Sequence, residues 1–323
     1  MPAGFQAPSP EELDPYFPEY KVTDFIAQGG MGAVFKATEV MLDRPVAIKI
    51  LPYEMGLNPQ FSKSFTREAK IMAKLNHPNL VQLYSFGNIS GMFYIVMEYV
   101  DGKSLYSSAK GKKVRMHEAG RLVSSICSGL HHAHRQGLIH RDIKPGNILI
   151  NDHAEPKIVD LGLAHSLGNE GSGGTIYGTK GYSAPEVTKA PDAVDLRADI
   201  FSAGVMLYEL LTGQRPDSPY IPASTISDSH PDFDPIIEKA INPKPHLRYN
   251  SAATMADEIH ELVTHLEADR YQGPVKAPTV PLETRPHNLV EAKTSRAISQ
   301  GAFFVILIVA VISVVATIMS VIG

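Results

Sequence analysis

Apolar and polar residues alternate with period two over residues 20–27, 33–39 and 44–51, which predicts three strands near the start of the chain. The period then lengthens. Phe61, Phe65, Met72 and Leu75 fall on one stripe and predict a helix over residues 61–75. Beyond Gly102 the pattern is mostly helical. Residues 118–136 read as a helix with Gly137 as its stop, and residues 200–212 are apolar nearly all round, as a buried helix ended by Gly213 would be. Ser251 can cap a last amphipathic helix that carries Met255, Ile259, Leu262 and Leu266. Strands first and helices later predict an α+β protein with a small sheet lobe and a larger helical lobe.

The ends of the chain lack this patterning. Residues 1–19 contain Pro2, Pro8, Pro10, Pro15 and Pro18, and are expected to form a flexible lead-in. The patterned domain spans residues 20–270. Residues 271–300 hold Pro274, Pro278, Pro281 and Pro286 among polar residues and read as a linker. An uncharged run of 21 residues then opens at Ala302 and closes at Ile322. At about 1.5 Å per residue it is long enough to cross the roughly 30 Å hydrocarbon core of a bilayer. A helix over 301–323 is therefore expected to span a membrane, since core helices rarely lack charge for so long. Lys293 and Arg296 precede it, and positive flanks stay on the cytoplasmic side. The N-terminus has no apolar stretch that would serve as a secretory signal.

Composition narrows the classes. With 44% hydrophobic and 20% charged residues in 323, the chain is no disordered polyelectrolyte and can bury a sizeable core. A net charge of −4 argues against nucleic acid as a partner. The single cysteine, Cys127, cannot form an internal disulfide, and a reducing compartment suits it.

Candidate chemistry begins at Gln28-Gly29-Gly30-Met31-Gly32. Such a turn lets backbone N–H groups approach a phosphate with no Cβ in the way. A strand-like run follows it, whereas a dinucleotide-binding turn opens into a helix. In residues 46–50, Ala47 and Lys49 share one strand face, and Val46, Ile48 and Ile50 the other. Glu68 falls inside the apolar stripe of its helix, so its carboxylate points inward and needs a partner, for which Lys49 is the nearest candidate. Asp142, Asn147 and Asp160 are oxygen-bearing groups of the kind that serve a magnesium ion held by substrate phosphates.

Ala47-Ile48-Lys49, His140-Arg141-Asp142, Asp160-Leu161-Gly162 and Ala184-Pro185-Glu186 occur in this order, and the chain resembles a eukaryotic-type (Hanks-type) protein kinase of the bacterial Ser/Thr branch over about residues 20–270. The resemblance implies a bilobal fold and MgATP as phosphoryl donor. It places Ala27, Gly29, Gly30 and Gly32 over the ATP phosphates, and Val34 and Ala47 over adenine. Met97 falls at the back of the adenine pocket, with the hinge at Glu98 and Val100. It implies that Lys49, oriented by Glu68, holds the α- and β-phosphates, that Asp142 acts as base, and that Lys144 meets the transferred phosphate. Asn147 and Asp160 become the Mg2+ ligands. In the loop from Leu161 to Glu186, Thr175 is the expected autophosphorylation site, and Thr179 is expected to contact the catalytic loop. Asp199 is expected to brace that loop, and Arg248 to pair with Glu186.

Proteins with Ser/Thr acceptors follow as substrates, and a membrane tether favours phosphorylation between two copies of the chain. The chain departs from the family pattern at Ala27, at Leu161 and in the short Pro/Ser-rich stretch 215–235. The alternative is a membrane-tethered pseudokinase that binds nucleotide or a partner without catalysis. Its usual mark is loss of one of Lys49, Glu68, Asp142, Asn147 or Asp160, and all are present. Of the cluster His131, His132 and His134, consecutive residues point to different sides of a helix, so His134 is expected in the core rather than on a metal.

Overall fold

A computed structural model describes residues 5–29, 32–109, 111–161 and 179–271. Strands β1 (Tyr20–Gly29), β2 (Gly32–Glu39), β3 (Arg44–Ile50), β4 (Leu83–Ile89) and β5 (Met92–Glu98) form one antiparallel sheet in the order β1-β2-β3-β5-β4. The central strand β3 is buried on both faces, and its alternation divides two cores. Val46, Ile48 and Ile50 pack with Phe35, Ala37 and Val96 on the outer face. On the inner side the helix Pro59–Met72 lays Phe61, Phe65, Ala69 and Met72 against Phe93 and Ile95, with the Phe65 and Phe93 ring centroids 4.7 Å apart. That helix starts two residues before its apolar stripe, because the Asn58 side chain accepts from the Gln60 and Phe61 amides.

The lead-in departs from expectation. Residues 5–19 are packed rather than loose. Ser9 and Glu12 close a capping box around the short helix Pro10–Leu13, and Leu13 and Phe17 are buried in the outer core of the sheet. The prolines had obscured two large apolar side chains for which the Val46/Ile48/Ile50 face offers a dry surface.

The helical lobe is built on Met116–Arg135, Arg197–Thr212, Phe233–Ala240 and Ala252–Tyr271. Helices Met116–Arg135 and Ala252–Tyr271 approach closely at Gly120, where an added Cβ would lie 2.4 Å from Val263 Cγ2. Arg197–Thr212 is buried nearly all round, and Gly213 ends it at φ 79°. The Ser251 hydroxyl accepts from the Thr254 amide at the start of the last helix. A second sheet was not foreseen: β6 (Gly102–Ser104), β7 (Ile148–Asn151) and β8 (Pro156–Ile158) pair antiparallel in sequence order. Strands this short carry too few residues for a period to register. They matter because β7 and β8 flank the segments that carry Asn147 and Asp160. The expected linker and membrane helix, residues 271–300 and 301–323, lie outside the described residues save for Tyr271.

Candidate active site

The loop before β7 is organised from below by one buried acid. Asp199, fully buried in the helix Arg197–Thr212, accepts from the His140 amide at 2.9 Å and the Arg141 amide at 2.7 Å. His134 Nε2 stands 2.8 Å from the same carboxylate. Burial alone would push the Asp199 carboxyl up, but the hydrogen bond and charge of His134 and the His140 contacts outweigh it and hold it below the usual carboxylate range. With both backbone donors satisfied, Arg141 is held at φ 67°, a conformation that L residues seldom adopt. The His140 ring is fixed as well. Its Nδ1 accepts from the Asp142 amide at 3.3 Å, which leaves Nε2 to donate to the Val159 carbonyl at 2.9 Å.

This scaffold presents Asp142. Its Oδ2 accepts from Lys144 Nζ at 2.7 Å and from Asn147 Nδ2 at 3.1 Å, and its Oδ1 accepts from the Thr179 hydroxyl at 2.8 Å. Lys144 also donates to Thr179 Oγ1 at 2.8 Å, which closes a triangle of Asp142, Lys144 and Thr179. Because Asn147 Nδ2 is committed to the carbonyl and carboxylate of Asp142, its Oδ1 is the end left to accept.

Across the cleft, Lys49 Nζ donates to Asp160 Oδ1 at 2.7 Å. The sequence reading named Glu68 as the candidate partner of Lys49 and did not foresee Asp160. Asp160, at φ 61°, turns its carboxylate toward β3. Desolvation would raise the Asp160 carboxyl, but the charge and hydrogen bond of Lys49, with His140 and Lys144 beyond, hold it below the ordinary value. Glu68 is buried in its helix as its place in the apolar stripe required. Its carboxylate acts on Arg141: burial pulls the Arg141 guanidinium down, and Asp199 and Glu68 oppose that.

The described nucleotide residues named from the sequence fall on β1, β2, β3 and β5 or just after them. Val34 pairs with Lys49 across β2 and β3, and Ala47 pairs with Met97 across β3 and β5. Gly32 sits at φ 124°, where a Cβ would lie 1.9 Å from the Ile50 carbonyl oxygen, so only glycine fits. Gly29 pairs with Gly32, and Ala27 with Val34. The Glu98 carboxylate is taken up by Lys157 Nζ at 2.6 Å and by the Gln82 amide at 3.2 Å, and Val100 follows half-buried. Gly30 and Thr175 lie outside the described residues. Farther out, Arg248 forms a bidentate pair with Glu186 at 2.5 and 2.8 Å.

Sequence reasoning missed three groups. His134 was read as core without its Asp199 partner, Lys157 was not connected to Glu98, and Gln28 was not connected to residues 5–7. These pairs lie 65, 59 and 21–23 positions apart, and no local pattern links them.

The donor set suits a hard cation. Asp160 and Asn147 offer oxygen, and among the described residues no group of three His, Cys, Asp or Glu forms a complete metal cage. An ion here would share its coordination with a ligand's own oxygens, as Mg2+ does with phosphates.

A five-stranded antiparallel lobe and a helical lobe, with a lysine of the first paired to an aspartate from the second, is the architecture of a protein kinase. The chain matches the protein kinase domain over residues 20–272 and belongs to that family, with its bacterial members. The serine/threonine-protein kinase PknB of Mycolicibacterium smegmatis is 33% identical over 264 residues, covering 74% of this chain and 42% of that protein. A probable serine/threonine-protein kinase of Streptomyces coelicolor is 35% identical over 265 residues, covering 74% and 39%. The chain thus spans about two fifths of the length of these curated relatives. The crystal structure of the Mycobacterium tuberculosis PknI kinase domain is similar with a TM-score of 0.63 and 26% identity, over 75% of this chain and 96% of that one.

Proposed function

We propose that this chain transfers the γ-phosphoryl group of ATP to serine or threonine hydroxyls of proteins. The observation that carries the reading is the Asp142, Lys144 and Thr179 triangle. A hydroxyl nucleophile needs an acceptor for its proton, and Asp142 offers a carboxylate held at both oxygens. Lys144 supplies a cation beside it, where charge develops on the transferred group. Lys49 holds the α- and β-phosphates, and the turn at Ala27, Gly29, Gly30 and Gly32 covers them. Ala47 and Val34 pack on adenine, with Met97 behind it and the backbone at Glu98 and Val100 as hydrogen-bonding edge. Asn147 and Asp160 would hold Mg2+, which would supply positive charge to offset that of the phosphates. The work of the protein is mainly positioning.

The pseudokinase alternative has no feature of the site in its favour, since each phosphate-, metal- and proton-handling group is retained. Asp142→Asn is the test. It should lower phosphate incorporation by about 10²–10⁴-fold, with the melting transition retained. Unchanged incorporation would refute the assignment.

We further read residues 302–322 as a membrane span with the kinase on the cytoplasmic side of the cell membrane. Its support is the uncharged run and the Lys293 and Arg296 flank. Among the described residues no helix is long and apolar enough to cross a membrane. Two tethered copies would phosphorylate each other at Thr175. Recovery of the full chain in the alkali-washed membrane fraction, lost when 301–323 are deleted, checks the anchor. Phosphosite mapping on co-expressed active and Asp142→Asn copies checks transfer between chains.

A further inference from the structure

We propose that Gln28 is a positioning residue for ATP and that it acts through residues 5–19, which precede the matched kinase domain; the inference rests on the kinase reading above. Gln28 lies between Ala27 and Gly29 in the phosphate-covering turn. Its carboxamide grips the backbone of the lead-in from both ends: Nε2 donates to the Phe5 carbonyl at 2.5 Å, and Oε1 accepts from the Ala7 amide at 3.3 Å. A carboxamide used this way imitates a peptide group and adds one rung to the edge of β1.

The gripped segment is itself fastened to the sheet. Leu13 and Phe17 are 2% and 3% exposed, and the Phe17 ring meets Tyr94 of β5 edge-on at 5.0 Å. The Val22 amide of β1 donates to Asp14 at 2.9 Å, and the Tyr20 amide to the Phe17 carbonyl at 2.8 Å. The lead-in therefore runs from a buried anchor below β3 and β5 to the last rungs of β1. The turn needs such a hold. The register of β1 against β2 shifts between Phe25 and Ala27, just before it, and a Cβ placed on Gly29 would have no neighbour within 4 Å. Glycine-rich backbone loses much freedom when it closes on a ligand. Fixing Gln28 beforehand reduces what remains to be ordered, and so favours nucleotide binding.

The test uses the purified full chain, a Gln28→Ala variant, a chain lacking residues 2–7, and the combination. The truncation keeps Ser9, Leu13 and Phe17, and with them the buried anchor. MgATP calorimetry and autophosphorylation kinetics are read together. Each single change should weaken ATP binding and raise KM by about three- to tenfold, the scale of one or two lost hydrogen bonds. The turnover number should stay within about twofold, since the transition-state groups are untouched. The combined variant should be no worse than the truncation alone, because the truncation already removes both backbone partners of Gln28, along with the packing of Phe5 and Ala7 on the outer core. Unaltered affinity in the truncated chain, or losses that simply add, would overturn the inference. If the truncation lost its melting transition, Ala7→Pro, which removes the amide donor while keeping residues 2–6, carries the same comparison. Failure of the unmodified chain to take up MgATP would instead strike the kinase reading itself.

Discussion

Lys49 Nζ and Asp160 Oδ1 stand 2.7 Å apart although 111 positions separate the two residues, and they come from opposite sides of the cleft. The lysine side chain is 5% exposed and the aspartate 31%. A nearly buried ammonium needs a counter-charge. The pair therefore links the sheet lobe to the helical lobe, and it sets the lysine where phosphate would meet it.

Removing one member should cost folding as well as function. Asp160→Asn leaves the Lys49 charge with a neutral acceptor, and a destabilisation of about 1–3 kcal/mol is expected, below the range for fully buried pairs because Asp160 is partly solvated. Adding Lys49→Met to that variant should recover part of the loss in a denaturant titration, since the orphaned charge goes with it. ATP uptake should remain absent in both.

Thr179 is expected to act on the rate rather than on the fold. Its hydroxyl donates to Asp142 and accepts from Lys144. Thr179→Ala removes a hydrogen bond to a charged group, and phosphate transfer should fall about 10- to 100-fold. Thr179→Ser keeps the hydroxyl and should restore most of it. Equal rates for the alanine and serine variants would show that the hydroxyl is not what matters.

Much of this was legible in the chain because it lies in local pattern. Period two put Ala47 and Lys49 on one face of β3, and the stripe through Phe61, Phe65 and Met72 sent Glu68 inward. The buried helix ending at Gly213 could be read in the same way. What the sequence could not show depends on which distant groups meet. Glu68 was the nearest inward acid to Lys49 along the chain, whereas the Asp160 contact joins residues 111 positions apart and has no local signal. His134 finds Asp199 across two helices. Residues 5–19 looked loose because prolines outweigh two apolar side chains in any compositional reading, while burial of Leu13 and Phe17 depends on a sheet face built later in the chain.

Asp199 gives the acid limb of stability a definite sign. Its folded-state carboxyl lies below the unfolded value of about 3.9. Its contribution is therefore complete above that value and is lost as pH falls through the lower folded value. Asp199→Asn should melt earlier at neutral pH, because an amide donor then faces the His140 or Arg141 N–H. The gap between variant and unmodified chain should narrow as pH falls below the unfolded value of about 3.9 toward the lower folded one. A gap that stays constant over that window would show that the Asp199 charge is not the stabilising feature.

Arg248 tests how far a buried ion pair depends on shape. Its side chain is fully buried and that of Glu186 is 10% exposed. Besides its two contacts with Glu186, the guanidinium donates to the Asn242 carbonyl at 2.7 Å and the Arg197 carbonyl at 2.9 Å. Removing it leaves the buried Glu186 carboxylate without its guanidinium and withdraws a donor from the Asn242 and Arg197 carbonyls, and Arg248→Met should lose about 3–5 kcal/mol. At about 2–4 °C per kcal/mol for a domain of this size, the melting temperature should drop by roughly 10 °C. Lysine keeps the charge but is a point donor that cannot span the carboxylate and both carbonyls. Arg248→Lys should therefore fall near the methionine variant. A lysine variant as stable as the unmodified chain would mean that charge alone suffices and that the planar fork contributes nothing.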